Sequence, residues 1–374
     1  MGARATLLAL AVLTTAGSAA ADGADPAPER LTLQPRKPDG TLVLPPGLTC
    51  QTVAANPELA VAAGIAPNSA PCVPDNVAFR NYISDLGFAI APTAFHPANT
   101  TGFGGFALTF DFSFSKVNSG GTSTAPDGTQ RQFWQDATQG ARDPAKKSFP
   151  TKNANPDSVL GIYSLKARKG LPLGFEVGAS VGWVGSTSLW VLGTDLRWSA
   201  FEGFRTGALG IIPDLSVGAG VRTLAGTSKF SLTTVGIDVQ LSKPIPIAEQ
   251  MSVTPWIGYQ RLFIFGDASV MDATPNVDAL NQCGYSGNDP VTHGPVCRNR
   301  LSNGFQNDSD FNNNFVFEKV RTHRHRMMIG LSYRYEFIYV ATQMLFDITP
   351  ANEENPGLLN SRQWTYSFEG GVWF

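Results

Sequence analysis

Few side chains in this 374-residue chain could do bond-making chemistry, and they do not converge. The histidines are His96, His293, His323 and His325. Nucleophilic catalysis needs a Ser or Cys with a base in reach and an acid to orient that base. The one G-x-S-x-G string, Gly178-Ala179-Ser180-Val181-Gly182, lies inside an alternating segment rather than at a strand-to-helix turn, so it is no nucleophile elbow. His323 and His325 share an alternating row with Met327, Ile329 and Leu331, which reads as a surface or interfacial pair near a strand end. No enzyme, cofactor or metal site is therefore expected. Asn307-Asp308-Ser309-Asp310 lacks the Gly and terminal Glu of a calcium loop. The cysteines, Cys50, Cys72, Cys283 and Cys297, form no C-x-x-C, and only His293 lies near enough to join them as a zinc ligand. Their even number and close spacing suggest Cys50–Cys72 and Cys283–Cys297 disulfides.

The elements that must position these residues begin with an export signal. Arg4, the apolar run Ala5–Ala16 and the small residues Ser18–Ala21 predict a signal peptide over residues 1–21. No later stretch reaches eighteen consecutive apolar residues, so a membrane-embedded product must be a barrel. The mean hydropathy of −0.06 fits, because barrels hide apolar surface in alternation. A net charge of −2 shows no basic excess and argues against nucleic acid as a partner. Residues 22–75 are Pro-rich and read as a periplasmic leader. Residues 76–102 hold a short helix, Asn76–Gly87, capped by Asp75 or Asn76 and followed by a lead-in. It reads as a lid on a barrel mouth or a plug inside it.

Residues 103–374 resolve into ten alternating segments: Phe103–Asn118, Asp157–Lys169, Leu173–Gly185, Ser188–Phe201, Asp214–Ala225, Lys229–Ser242, Ser252–Gly266, Phe317–Tyr335, Phe337–Ile348 and Arg362–Phe374. The long connections, Ser119–Pro156, Asp267–Val316 and Thr349–Ser361, all follow odd-numbered segments. That sorting is expected of long extracellular loops and short periplasmic turns. Twelve strands would follow if Asp267–Val316 hid a further hairpin, and eight if edge segments were misread. Charges avoid the apolar rows. Phe106, Leu108, Phe110, Phe112 and Phe114 oppose Thr109, Asp111, Ser113 and Ser115, for example. A charge facing mid-membrane lipid costs roughly 2–4 kcal/mol. Arg261 is the exception, sharing a row with Val253, Ile257 and Phe263.

The last segment carries an outer row Trp364, Tyr366, Phe368, Gly370, Val372 and Phe374. This ending resembles the final strand of bacterial outer-membrane β-barrel proteins, in which the terminal Phe374 would be an insertion signal for the assembly machinery. The resemblance covers Phe103–Phe374. It implies an all-β fold, a transmembrane antiparallel up-and-down barrel of about ten strands, monomeric and located in the cell outer membrane. The short helix with Thr101-Gly102-Phe103-Gly104-Gly105 is also faintly similar to FadL-type transporters of hydrophobic compounds. Their Asn-Pro-Ala signature is replaced here by His96-Pro97-Ala98.

Alternation sends Lys166, Arg168, Arg197, Arg222, Arg324, Arg326 and Arg334 into the lumen, with Asp111, Glu176, Asp195, Asp238, Glu336, Asp347 and Glu369. The signs balance. Such charges must pair or stay hydrated in a barrel this narrow. Two functions follow. One is passage or binding of a small solute, hydrophobic by the FadL likeness. The other is a structural or surface-recognition barrel with a closed, salt-bridged lumen and working extracellular loops. Expected partners are outer-membrane lipid and lipopolysaccharide, the latter facing Arg321-Thr322-His323-Arg324-His325-Arg326, together with the barrel-assembly machinery.

Overall fold

A computed structural model of the protein describes residues 24–33, 73–94, 96–125, 128, 130–140, 153–202, 212–248, 250–272, 285–288, 290–291, 295–297, 314–349 and 362–374. Ten antiparallel strands form the barrel. They are β1 (Phe106–Lys116), β2 (Val159–Gly170), β3 (Phe175–Val184), β4 (Trp190–Phe201), β5 (Asp214–Ala225), β6 (Phe230–Ser242), β7 (Met251–Ala268), β8 (Val320–Tyr335), β9 (Ile338–Asp347) and β10 (Trp364–Trp373). Each pairs with its sequence neighbour, and β10 pairs with β1, bringing Glu369 opposite Asp111. Closure leaves no edge of unpaired amides, as hydrocarbon requires.

The period of two is kept throughout. Outward residues such as Phe110, Leu192, Ile257 and Leu331 are exposed, whereas Asp111, Gln260 and Glu369 of the opposite rows are buried. Trp190 faces Trp183, Trp183 faces Tyr163, and Phe114 faces Tyr366, giving an aromatic row around one rim. Phe106, Phe175, Trp198, Phe337 and Phe374 mark the other. The connections sort as expected, with 117–158, 269–319 and 348–363 at one end. Tight turns serve the opposite end, where Leu173 and Gly174 both take positive φ (62° and 75°) after Pro172. The loop 269–319 does contain a short ribbon, Tyr285–Asn288 with Pro295–Cys297, but it is separate from the barrel sheet, so ten strands stand.

Helix α1 runs from Asn76 to Ile90, three residues beyond the predicted end. Asp75 caps it, its Oδ1 accepting from Ala78 N at 3.0 Å. Twelve of its fifteen residues are buried. A helix apolar on several sides must be enclosed, and the barrel wall encloses this one. Gly87 is where helix and wall come closest. A Cβ there would sit 2.5 Å from Ile264 Cγ2 of β7. On the wall, Gly266 makes matching room for Ile83.

The described leader residues lie at the long-loop end. Ala27 N donates to Ala137 O of the short helix α2 (Phe133–Ala137) at 2.7 Å. Asp25 accepts from Ser188 N (2.8 Å) in the β3–β4 connection, and Lys229 beside β6 reaches Glu29 at 2.8 Å. Thr32–Leu33 pairs with Val73–Pro74. Burial among these loops lowers the Arg30 guanidinium from its ordinary value, opposed by Glu29 and Asp136.

Candidate functional site

The lumen is the candidate site, and it has two chemically different halves. Toward the long loops the inward rows turn apolar: Leu160, Ile162, Val184, Val191, Leu224, Phe230, Leu232, Leu262, Ile264 and Val320 are all buried. They form one core with Phe79, Tyr82, Ile83, Leu86 and Phe88 of α1. Phe79 stacks on Phe317 at 4.2 Å, and Tyr82 meets Trp134 at 5.2 Å. Alternation alone predicts a polar lumen and misses this. A signal was present, because strand ends such as Leu189-Trp190-Val191-Leu192 and Leu262-Phe263-Ile264-Phe265 are apolar on both faces.

Toward the short turns the inward rows carry charge. Lys166 lies 3.8 Å from Asp111, Arg197 3.5 Å from Asp238, and Arg222 2.8 Å from Asp195. Arg168 stands between Glu369 (3.3 Å) and Glu176 (3.8 Å), with Tyr339 and Trp373 against its guanidinium. Inward glycines make room for these groups: a Cβ on Gly193 would meet Arg222, and one on Gly220 would meet Asp195. Pairing offsets burial only when remaining donors and acceptors are also met. A cavity of about 20 Å³ borders Arg168, Glu176 and His96. It is about the size of one water, and Arg168 Nε and Nη1 make no protein hydrogen bond there.

Arg324 and Arg326 sit where the halves meet, against the last turn of α1. Arg324 bridges Asp85 of the helix (3.4 Å) and Asp347 of β9 (3.2 Å), and also donates to Gln363. Arg326 has no carboxylate within salt-bridge distance among the described residues. Its Nη2 donates to Pro92 O at 2.6 Å and its Nη1 to Phe88 O at 3.4 Å, while Nε meets Gln260. The Phe88 ring lies 5.4 Å from the Arg324 guanidinium and 5.1 Å from that of Arg326. Carbonyls at a helix C-terminus carry partial negative charge, which suits a cation. The arginines are thus committed to α1 and do not form an open anion site.

Below α1 the chain crosses the rest of the lumen without regular structure. Gln343 donates to Thr93 O (2.7 Å) and Gln240 to Ala94 O (2.9 Å). Arg197 donates to His96 O (3.2 Å) and Pro97 O (3.0 Å). Ser242 accepts from Ala98 N, Glu202 from Thr100 N and Glu176 from Thr101 N, at 3.0, 3.1 and 2.8 Å. His96 Nε2 also approaches Glu176 at 3.3 Å. None of the residues holding this segment could be placed there from sequence, since each partner is more than 70 positions away.

Two predicted lumenal residues are placed differently. Glu336 is exposed in the β8–β9 turn at φ 49°, because the chain reverses there. Arg334 is half-buried at the rim over Trp373. Arg261 is outward, 5.3 Å from the Phe263 ring and paired in register with His325. His323 and His325 share that face, and the Tyr259 hydroxyl meets His325 Nδ1. Cys50, Cys72 and Cys283 lie outside the described residues, and Cys297 ends the short ribbon.

A closed ten-stranded barrel with an apolar outer band between two aromatic rows defines an outer-membrane β-barrel protein, and the outer membrane is its place. No family model matches the chain, and no curated protein is similar to it. Among solved structures it is similar to Ail, the attachment invasion locus protein of Yersinia pestis. That match has 10% identity and a TM-score of 0.24, over 73% of this chain and 99% of the other. The translocator domain of the autotransporter NalP from Neisseria meningitidis matches at 8% and 0.27, over 87% and 99%. The outer membrane protease OmpT from Escherichia coli matches at 7% and 0.26, over 76% and 99%. These likenesses are too distant to transfer a role.

Proposed function

We propose that this protein is an outer-membrane barrel held shut by its own residues 76–101 and active in recognition at its long-loop end. The supporting observation is the path of the described residues 76–94 and 96–101. Asn76 accepts from Glu318 N near the start of β8, and Thr101 reaches Glu176 at the opposite rim, with wall contacts between. The described leader residues and α2 lie above it, against the long-loop end. A salt-bridged interior of balanced sign also lacks the single-sign excess of a selective pore.

Passage or binding of a small apolar solute is the second reading, favoured by the apolar upper lumen. A solute would enter by displacing α1 from the wall at Gly87 and Ile264. Planar-bilayer recording separates the two. The full chain should show no steady conductance, and Gly87→Phe, which unseats α1, should admit openings. A steadily conducting wild-type barrel would overturn the closed reading. Uptake of an apolar fluorophore by wild-type cells would favour the second.

A further inference from the structure

The lumenal segment is held mainly by its main chain. Six of its carbonyls, from Phe88, Pro92, Thr93, Ala94, His96 and Pro97, accept from Arg326, Gln343, Gln240 or Arg197 of the wall. Three amides, from Ala98, Thr100 and Thr101, donate to wall side chains. Recognition of this kind is indifferent to which residue occupies each place. Pro92 and Pro97 suit it, lacking an amide that would need a partner. The direction of the path matters equally. The chain enters β1 at the short-turn rim, where Gly170 N donates to Gly105 O. Traced backward, it climbs the lumen, becomes α1 and emerges among the long loops. The leader there touches the first three odd connections or their flanking residues, at α2, Ser188 and Lys229, and Asn76 at the start of α1 accepts from Glu318 beside the fourth.

We propose that the lower lumen is a binding site for polypeptide backbone, through which the leader reaches the long-loop end and is displayed at the cell surface. This goes beyond recognition by the loops, because it makes the amino-terminal segment itself part of the exposed surface. It rests on occupancy of the lumen by residues 76–101, which the conductance measurement examines separately.

The test uses full-length protein in intact cells, with an epitope inserted after Gly40 and, in a second version, after Asn352 of the β9–β10 connection. Both epitopes should bind antibody without permeabilisation and be removed by protease added outside. A Gly40 epitope that becomes reactive only after the outer membrane is opened overturns the proposal, whatever the Asn352 epitope does. The backbone site is tested by Gln240→Met with Gln343→Met, which strands no charge. In purified barrels that keep heat-modifiable mobility, cleavage within residues 91–101 should speed at least about tenfold, as two buried hydrogen bonds are lost. Unchanged cleavage would remove these side chains as the holding site and with them the proposal.

Discussion

Arg324 is the residue on which the two halves of the lumen depend. It is buried with Asp85 on one side and Asp347 on the other, so a single cation meets two carboxylates from different elements. Removing one member of a buried ionic group leaves an uncompensated charge, at about 3–5 kcal/mol. Arg324→Met is therefore expected to lower the unfolding free energy of the barrel, measured by urea titration in detergent, by an amount of that order. Adding Asp85→Asn should recover part of the loss, because one stranded carboxylate is then neutral. A single variant as stable as the wild type would mean that the triad carries no structural weight.

Strands β7 and β8 are the longest elements, and their extra length has a consequence at the membrane surface. Their outward rows run apolar from Val253 and Tyr333 up to Tyr259 and Met327, then change to Arg261, Phe263, His325, His323 and Arg321. Hydrocarbon is expected to give way to headgroups at that change. Arg261 and Arg321 each lie against an aromatic ring, 5.3 and 5.8 Å away, which fixes them beside the wall. Phosphates of lipopolysaccharide are the ligands such a patch would meet, with a contribution of about 1 kcal/mol per basic residue. Arg261→Gln with Arg321→Gln should thus weaken lipopolysaccharide binding by the purified barrel, with the difference shrinking at high salt. Equal binding by both proteins would remove the patch as a lipid contact.

At the scale of the whole molecule, Phe374 adds the last contacts of the seam that closes β10 on β1. Phe374 N donates to Phe106 O at 2.8 Å, its carbonyl accepts from Phe106 N at 3.0 Å, and its ring stacks on Phe337. Deleting Phe374 removes those contacts and the expected assembly signal together. The yield of heat-modifiable barrel in the outer membrane should fall several-fold, and Phe374→Tyr should restore most of it. Normal assembly of the deletion would show that neither the seam nor the signal depends on this residue. With the seam sealed and no free edge, the barrel is expected to behave as a monomer in detergent.

The sequence by itself determined the strands, their faces and the sorting of the connections, because each is written locally. A strand face follows from every second residue, and a turn from Pro, Gly and a few neighbours, so β5 could be bounded at Asp214 and Ala225 without a structure. The outward position of the His323/His325 pair and a helix cap at Asp75 or Asn76 were legible for the same reason. Tertiary structure decided the rest. That α1 lies within the barrel, that Arg324 and Arg326 serve its last turn, and that the leader rests at the long-loop end are facts about distant pairs. Gln343 and Thr93 are 250 positions apart, and Arg324 and Asp85 are 239. Alternation tells a residue to face inward, but not what it will find there. The partner is chosen only when closure of the sheet brings ten inward rows and one threaded segment into the same confined volume, where every buried polar group must be met.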